Sequence, residues 1–477
     1  MILLMIRYLS TSSIYDMTGV RTKSITFFSN KKDHNQAAQD LIEQARSNLN
    51  FKPDLVLFYA TLKYNGNYQA MLDVIHEEYG DLPQIGASVD GMIYPEDMRT
   101  DGSALVLCKD DSAHISVKGL NEKGVVNSAE KLAKMIKCDN GSIVLHFPLV
   151  RVPNVLKSAE FFAKGYYYSK QCKGATIEKQ KEYAGKFSDY CDKEKIFPLP
   201  PTILEIFSKQ TNYSVPIIGV NVMHTHVRIN SPSIFCNFKD IGGGIAALII
   251  EKKGIKAFYD DIFSEKGKTM EETRHNVGEE FTIIKEFKAN FEKNILISLD
   301  GMAPVEAVEN LIYAAEKKKE DLLGKLEKGD YKLYIPYELL FFNKKTNGVF
   351  LLGIGAYYPF ELFPFYVDVS DYSDDVALVY EIIEDKFDAF ISSLNILKSD
   401  DKFTYFFLDV GVTTAFGEKV FEYKDKIKQL LGENYFGILS CAPSVYLPQE
   451  FQKRNYLSES GKNIFFSSAG TNACLKI

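Results

Sequence analysis

The stretch LPQIGASVDGMIYPEDMRTDGSALVL, residues 82–107, decides how the chain is read. An apolar run reaches Gly86, and Ala87, Ser88, Val89, Asp90 and Gly91 follow at once. A polar loop comes next, then the apolar run GSALVLC at 102–108. Upstream lies PDLVLFYAT at 53–61, and between the two, Met71, Leu72, Ile75 and Tyr79 fall at helical spacing. Short runs of Val, Ile, Leu and Phe bounded by Gly and Pro are buried-strand signals. Strand, helix and strand in that order predict parallel pairing through a right-handed crossover. The residues just after the first and second runs then share one sheet edge, the edge where α/β sheets bind ligands.

Two weaker copies of this unit follow. The second has GSIVLHFPL at 141–149, VPIIGVNVMH at 215–224 and GGGIAALIIE at 242–251, with a long insert between its first two runs. The third has KFTYFFLDVG at 402–411, a helical face through Val420, Phe421, Ile427 and Leu430, NYFGILSCAP at 434–443, and KNIFFSSAG at 462–470. The expected fold is therefore mixed α/β, with repeated strand–helix–strand units in two domains. NILISLDGMAP, 294–304, marks a junction. Asp300-Gly301 is a turn signal, with Asp300 expected to shape the turn and cap the following helix. Pro304 suits a first helical turn, and Val305, Val308, Leu311, Ile312 and Ala315 then make one apolar face. The charged run 316–321 reads as a solvated helix face. The expected division is an extension at 1–36, an N-terminal domain at 37–300 and a C-terminal domain at 301–472.

The totals narrow the function classes. A chain of 477 residues is too long for one ordinary core. With 46% hydrophobic and 25% charged residues it is globular. Its net charge of −7, with both signs mixed, argues against a nucleic-acid binder. The seven cysteines, at 108, 138, 172, 191, 236, 441 and 474, form no C-x-x-C pair and read as reduced thiols. MILLMIRYLS lacks the long apolar region of a signal peptide, and no run reaches the roughly 18 apolar residues of a membrane span. A cytoplasmic location is expected, with Met17 as an alternative start.

No motif in the chain completes a catalytic pattern. Gly86 to Gly91 fails as a nucleophile elbow: the second glycine comes one residue late and no helical pattern follows. It fails as a phosphate loop because no Gly-Lys-Ser/Thr follows. Gly267-Lys268-Thr269 lacks the upstream glycine and strand of a P-loop. Gly242 to Gly244 and Gly353 to Gly355 lack a full dinucleotide pattern. His224 and His226 face one way if their segment is strand, and they suit a ligand carboxylate or a metal. His146 sits alone in an apolar strand, as a core histidine or an axial haem ligand. No nucleophile–base pair can be assembled, so enzyme activity is not expected. A hydrolase or a scaffold stays as an alternative.

Several of these segments, in this order, resemble the FIST proteins, which carry an N-terminal and a C-terminal FIST domain. The similar stretches are AAQDLIEQARSNLNFKPDLVLFYAT at 37–61, PQIGASVDGMI at 83–93, NILISLDGMAPVEAVENLI at 294–312 and YFGILSCAPSVYLP at 435–448. The chain departs from the family pattern at Ala87, where the family often has Cys. It departs again in LDVGVTTAFG, where the family often carries Cys and Arg, and at Ser440 to Pro443, which replace a later Gly-Glu pair. The resemblance implies an intracellular sensory module for a small ligand, amino acids among the candidates, with haem binding in some members. No output domain is recognisable, so the resemblance implies a separate signalling protein as partner.

The candidate contacts come from the three strand ends. They are Ser88 and Asp90 from the first unit, Asn221, His224 and His226 from the second, and Cys441 and Ser444 from the third. Ser and Asn donate and accept hydrogen bonds, Asp90 suits an ammonium, and a histidine suits a carboxylate. That set fits an amino-acid-like molecule. The alternative is a haem- or metal-based gas or redox sensor built on His146, His224 or His226.

Overall fold

The structure is a computed structural model. It describes residues 22–152, 154–222, 232–261, 267–304, 306–308, 337–345, 347–353, 363–364, 369–382, 388, 402–409, 420–451, 464–466 and 471–477. His224 and His226 lie outside them, as does most of the helix expected after Pro304.

The fold is mixed α/β, and its repeat is threefold. The first unit runs β1 (Lys23–Ser29), α1 (His34–Asn48), β2 (Leu55–Ala60), α2 (Tyr68–Tyr79), β3 (Gln84–Ser88), β4 (Gly91–Tyr94), β5 (Asp97–Arg99) and β6 (Ser103–Lys109). Its sheet order is β1-β6-β2-β3, with only β2 and β3 parallel. The second unit runs β7 (His114–Leu120), α3 (Val125–Lys134), β8 (Ser142–Pro148), α4 (Val155–Cys172), α5 (Ile177–Glu194), α6 (Pro200–Gln210), β9 (Ile217–Val222), β10 (Ile234–Cys236), β11 (Lys239–Asp240) and β12 (Ile245–Glu251). Its order, β7-β12-β8-β9, repeats the first, again with one parallel pair.

The third unit opens with β13 (Lys256–Asp261) and is then interrupted. The interruption holds α7 (Met270–Glu280), β14 (Phe281–Glu292), β15 (Ile295–Leu299), β16 (Tyr337–Asn343), β17 (Val349–Gly353), β18 (Phe363–Pro364) and β19 (Tyr372–Ile382). The unit resumes with β20 (Thr404–Asp409), α8 (Val420–Leu431), β21 (Tyr435–Tyr446), β22 (Ile464–Phe466) and β23 (Thr471–Lys476). The order β13-β23-β20-β21 is the same pattern once more. β13 and β23, on either side of residue 300, are hydrogen-bonded neighbours.

Alternation within each first strand explains the packing. In β2, Leu55, Leu57 and Tyr59 face a core shared by all three units, while Val56, Phe58 and Ala60 pack with α1 and α2. In β8, Val144 faces the shared core and Ile143, Leu145 and Phe147 pack with α3 and α6. In β20, Tyr405 and Phe407 face inward and Phe406 and Leu408 pack with α8. Strands covered on both faces read as unbroken apolar runs, which is why these three are the plainest in the sequence. The interrupting strands form an antiparallel sheet, β17-β16-β19-β14-β15-β18. One face packs on the third unit through Leu340, Phe342 and Val379. The other, through Phe341, Val376 and Leu378, shares a core with α4 and α5. The long insert of the second unit thus covers the sheet that interrupts the third.

Two expectations need correction. The closing strand of the third unit is β23, whereas 462–470 contributes β22, which pairs with the far half of β21. Asp300 does shape its turn, with φ at 51°, but its carboxylate accepts the Lys288 backbone N–H at 2.8 Å and meets Lys285 Nζ at 2.9 Å. It ties the turn back to β14 instead of capping the next helix. These bonds hold its carboxyl below the usual range, the Lys288 amide contributing most.

Candidate functional site

The units exchange strands in a ring. After its second strand, the first unit sends β4 to pair with β21 of the third. The second sends β10 to pair with β3 of the first. The far half of β21 pairs with β9 of the second. Each second strand presents a glycine to the incoming strand: Gly86 faces Phe235, Gly219 faces Ser444, and Gly437 faces Ile93. A missing Cβ allows the close approach that each crossing requires.

This ring gathers the strand ends. Gly91 pairs with Leu439, and Asn221 pairs with Cys441, so contacts from the first and second units fall two residues apart along β21. Ser88 is buried and clamps the exchange: its N–H donates to Ser233 O, and its Oγ accepts from Ser233 N, both at 2.8 Å. Asp90 follows, half-buried, in the short link to β4. Asn221 is fully buried. Ser444 is buried, with Oγ 3.4 Å from the Gly219 carbonyl. Asn221 and Cys441 therefore share a rung and Ser444 pairs with Gly219 further along β21, whereas Ser88 pairs with Ala60 in the first unit's sheet and Asp90 lies on no rung, just before the strand that joins β21.

Beneath these ends lies a polar group that the sequence reading caught only at His146. Tyr59 of β2, His146 of β8 and Tyr405 of β20 meet inside the shared core, one from each unit's first strand. The Tyr59 hydroxyl is 2.6 Å from His146 Nε2 and is also hydrogen-bonded to the Tyr405 hydroxyl. The Tyr59 and His146 rings stack, with centroids 5.8 Å apart. His146 Nδ1 is buried with no hydrogen-bond partner. Burial pushes the imidazole down to about 3, so it is neutral at ordinary pH, and burial raises the Tyr405 phenol well above its usual value. With Nε2 engaged by Tyr59, iron ligation through that nitrogen would require Tyr59 to leave. Parity was the available signal: each residue is polar at an inward position of an otherwise apolar strand.

A second buried feature escaped the sequence reading. Glu338 of β16 is buried, and neither carboxyl oxygen has a hydrogen-bond partner. Burial, and secondarily the charge of Asp409, hold its carboxyl well above the usual range. Asp409 ends β20 and is itself fully buried. A protonated carboxyl can donate a hydrogen bond, and an ionised one attracts a cation or an ammonium. Glu338 has no sequence signal, because it reads as one polar residue at the head of a strand. Among the described residues no group of three or more His, Cys, Asp or Glu is placed to hold a metal. No described helix is long and apolar enough to cross a membrane.

Three like-wound α/β units, with their second strands joined by strand exchange, define a protein in which each unit's second-strand end is held by another unit. Domain comparisons carry this further. The FIST N domain matches residues 54–302, just over half of the chain, and the protein belongs to the FIST family. The AF0772-like protein C-terminal domain matches 271–384, the segment from α7 through β19 that forms the interrupting sheet. A protein of Archaeoglobus fulgidus, described as uncharacterized, is 23% identical over 288 residues, covering 60% of this chain and 75% of its own. FIST domains are regarded as sensory domains for small ligands in signal transduction.

Proposed function

We propose that this chain is a cytoplasmic sensor that binds a small, polar, amino-acid-like molecule at the strand ends gathered on β21 and signals through a separate protein. The observation that carries the reading is the pairing of Gly91 and Asn221 with residues two apart on that strand. Ligand held there touches all three units at once, so its binding energy can shift their mutual fit. The contacts are Ser88, Asp90, Asn221, His224, His226, Cys441 and Ser444. Asp90 takes an ammonium, and His224 or His226 takes a carboxylate.

Calorimetric titration of the full chain with free L-amino acids, one at a time, tests this. Binding is expected for at least one. Asp90→Asn, with its fold checked by circular dichroism, weakens it about tenfold, the worth of one charge-assisted bond. Heat that is identical in wild type and Asp90→Asn rejects this assignment of the ammonium contact.

A further inference from the structure

The exposed apolar side chains are concentrated on one surface. Eight large hydrophobic residues are exposed among the described residues, and five belong to the hairpin of α4 and α5: Val155, Leu156, Tyr166 and Tyr167 on α4, and Ile177 at the head of α5. Val155 and Leu156 are 84% and 82% exposed, and Tyr166 and Tyr167 are 64% and 54% exposed. Ala159 and Ala163, between them, are exposed as well. At about 100° per residue, the six positions on α4 fall in one stripe roughly 120° wide. Phe161 and Cys172 bury the other side of the helix in the core it shares with the interrupting sheet. A solvated helix face carries charge. Here the charges lie at the edge of the stripe and are already engaged. Lys157 Nζ is 2.8 Å from Glu160 and 3.1 Å from Glu194, and Lys164 lies over the Tyr190 ring.

The pattern of the stripe selects its partner. Leu156, Ala159, Ala163 and Tyr166 follow one another at spacings of three, four and three, the spacing of a coiled-coil seam. The order is also self-complementary. With a second α4 antiparallel about a two-fold axis level with position 161, Leu156 meets the partner's Tyr166 and Ala159 meets the partner's Ala163. Val155 then meets the partner's Tyr167. Small side chains face each other at the centre, where two helices can approach most closely, and an aliphatic chain faces an aromatic ring on either side. Lys170 continues the seam, but its counterpart in this arrangement falls before the start of the helix, so no lysine is buried. We propose that this stripe is the contact of a homodimer, two copies of the chain packed antiparallel along α4. Each copy presents the same patch to the other, as a two-fold contact requires. The contact runs about 18 Å from position 155 to 167. That is under two heptads, so the dimer dissociates at micromolar concentration and is not obligate. The surface shares no residue with the strand ends, and the inference does not rest on the ligand reading.

Sedimentation velocity of the full chain from about 1 to 200 μM tests this. Wild type passes from monomer to dimer over that range. Leu156→Glu weakens the dimer about a hundredfold, because the two-fold axis applies each change twice, and Tyr166→Lys does the same. Both changes in one chain recover at least tenfold of the loss, since each introduced carboxylate then faces an introduced ammonium. Lys181→Glu, exposed on α5 and outside the stripe, leaves the dimer unchanged. Circular dichroism of every variant matches wild type, as the substituted side chains are exposed. A monomer at every concentration overturns the proposal, and so does a dimer that survives Leu156→Glu. Failure of the double variant to recover overturns the antiparallel pairing on which it rests. Flotation of the wild type with phosphatidylcholine vesicles, lost in Leu156→Glu, overturns it in favour of a lipid surface.

Discussion

Gly86→Ala is expected to prevent the chain from reaching its native state, or to cost well over ~3 kcal/mol if it folds. A Cβ on Gly86 would sit 1.7 Å from the Phe58 carbonyl oxygen, which is backbone in the neighbouring parallel strand. It would also lie 3.3 Å from the Phe235 ring on the incoming strand. Neither side can yield without opening β2 from β3 or expelling β10. The equivalent positions grade the effect. At Gly437 the nearest obstacle is the Ile93 side chain at 2.4 Å, and at Gly219 it is Ser444 Oγ at 2.6 Å, a small group that can rotate. The expected order of loss is Gly86, then Gly437, then Gly219. Gly185→Ala is the contrasting control: it lies inside α5, its nearest neighbour is 3.7 Å away, and alanine should add up to about 1 kcal/mol. Urea unfolding followed by far-ultraviolet circular dichroism suits a chain without tryptophan. Equal midpoints for wild type and Gly86→Ala would contradict the close approach.

Stability is expected to fall on both sides of a middle pH range, through two buried groups of opposite sign. His146 ordinarily titrates at 6.5 and is pushed down to about 3 in the fold. The unfolded chain therefore takes up a proton first, and stability is lost as pH falls from about 6.5 toward 3. The loss is on the order of 5 kcal/mol when complete. Glu338 has its carboxyl raised above 4.5. Its contribution is fully present below 4.5 and is lost as pH rises through the raised value, because ionising it strands a charge with no hydrogen-bond donor. His146→Gln, which cannot titrate, should flatten the acid limb whatever its effect on absolute stability. Glu338→Gln should flatten the upper limb and raise the Tm at neutral pH. Melting temperatures of the three proteins from pH 4 to 9 check both. Parallel profiles would show that neither group titrates differently on folding.

The parts of the fold legible in the sequence are those buried on both faces. PDLVLFYAT, SIVLHFP and TYFFLD show as strands because nothing polar interrupts them, apart from Tyr59, His146 and Tyr405. The opening strands escaped the reading. β1 and β7 are edge strands, and their half-exposed residues alternate without a clear apolar run. β23 was missed for a related reason: TNACLK mixes polar and apolar positions, while the neighbouring KNIFFSSAG looks more like a strand than the sheet requires. The interruption of the third unit was invisible because its opening strand, β13, is separated from β20 by some 140 residues of chain that carry their own strand signals. At the candidate site, the strand ends were legible as positions, since Gly86, Gly219 and Gly437 punctuate equivalent runs. The ring that joins them was not, because strand exchange depends on pairings between segments far apart in sequence. Ser88 illustrates the limit. Its place at a strand end was readable, but its bond to Ser233 was not.

The most direct test of the central claim, that one small ligand is held by strand ends from all three units, is hydrogen exchange. The full chain would be compared with and without the free L-amino acid that binds most tightly. Exchange should slow together in 84–94, 217–222 and 435–446, since these segments share rungs of one ring. Slowing in none of them, or in only one of the three, would contradict it.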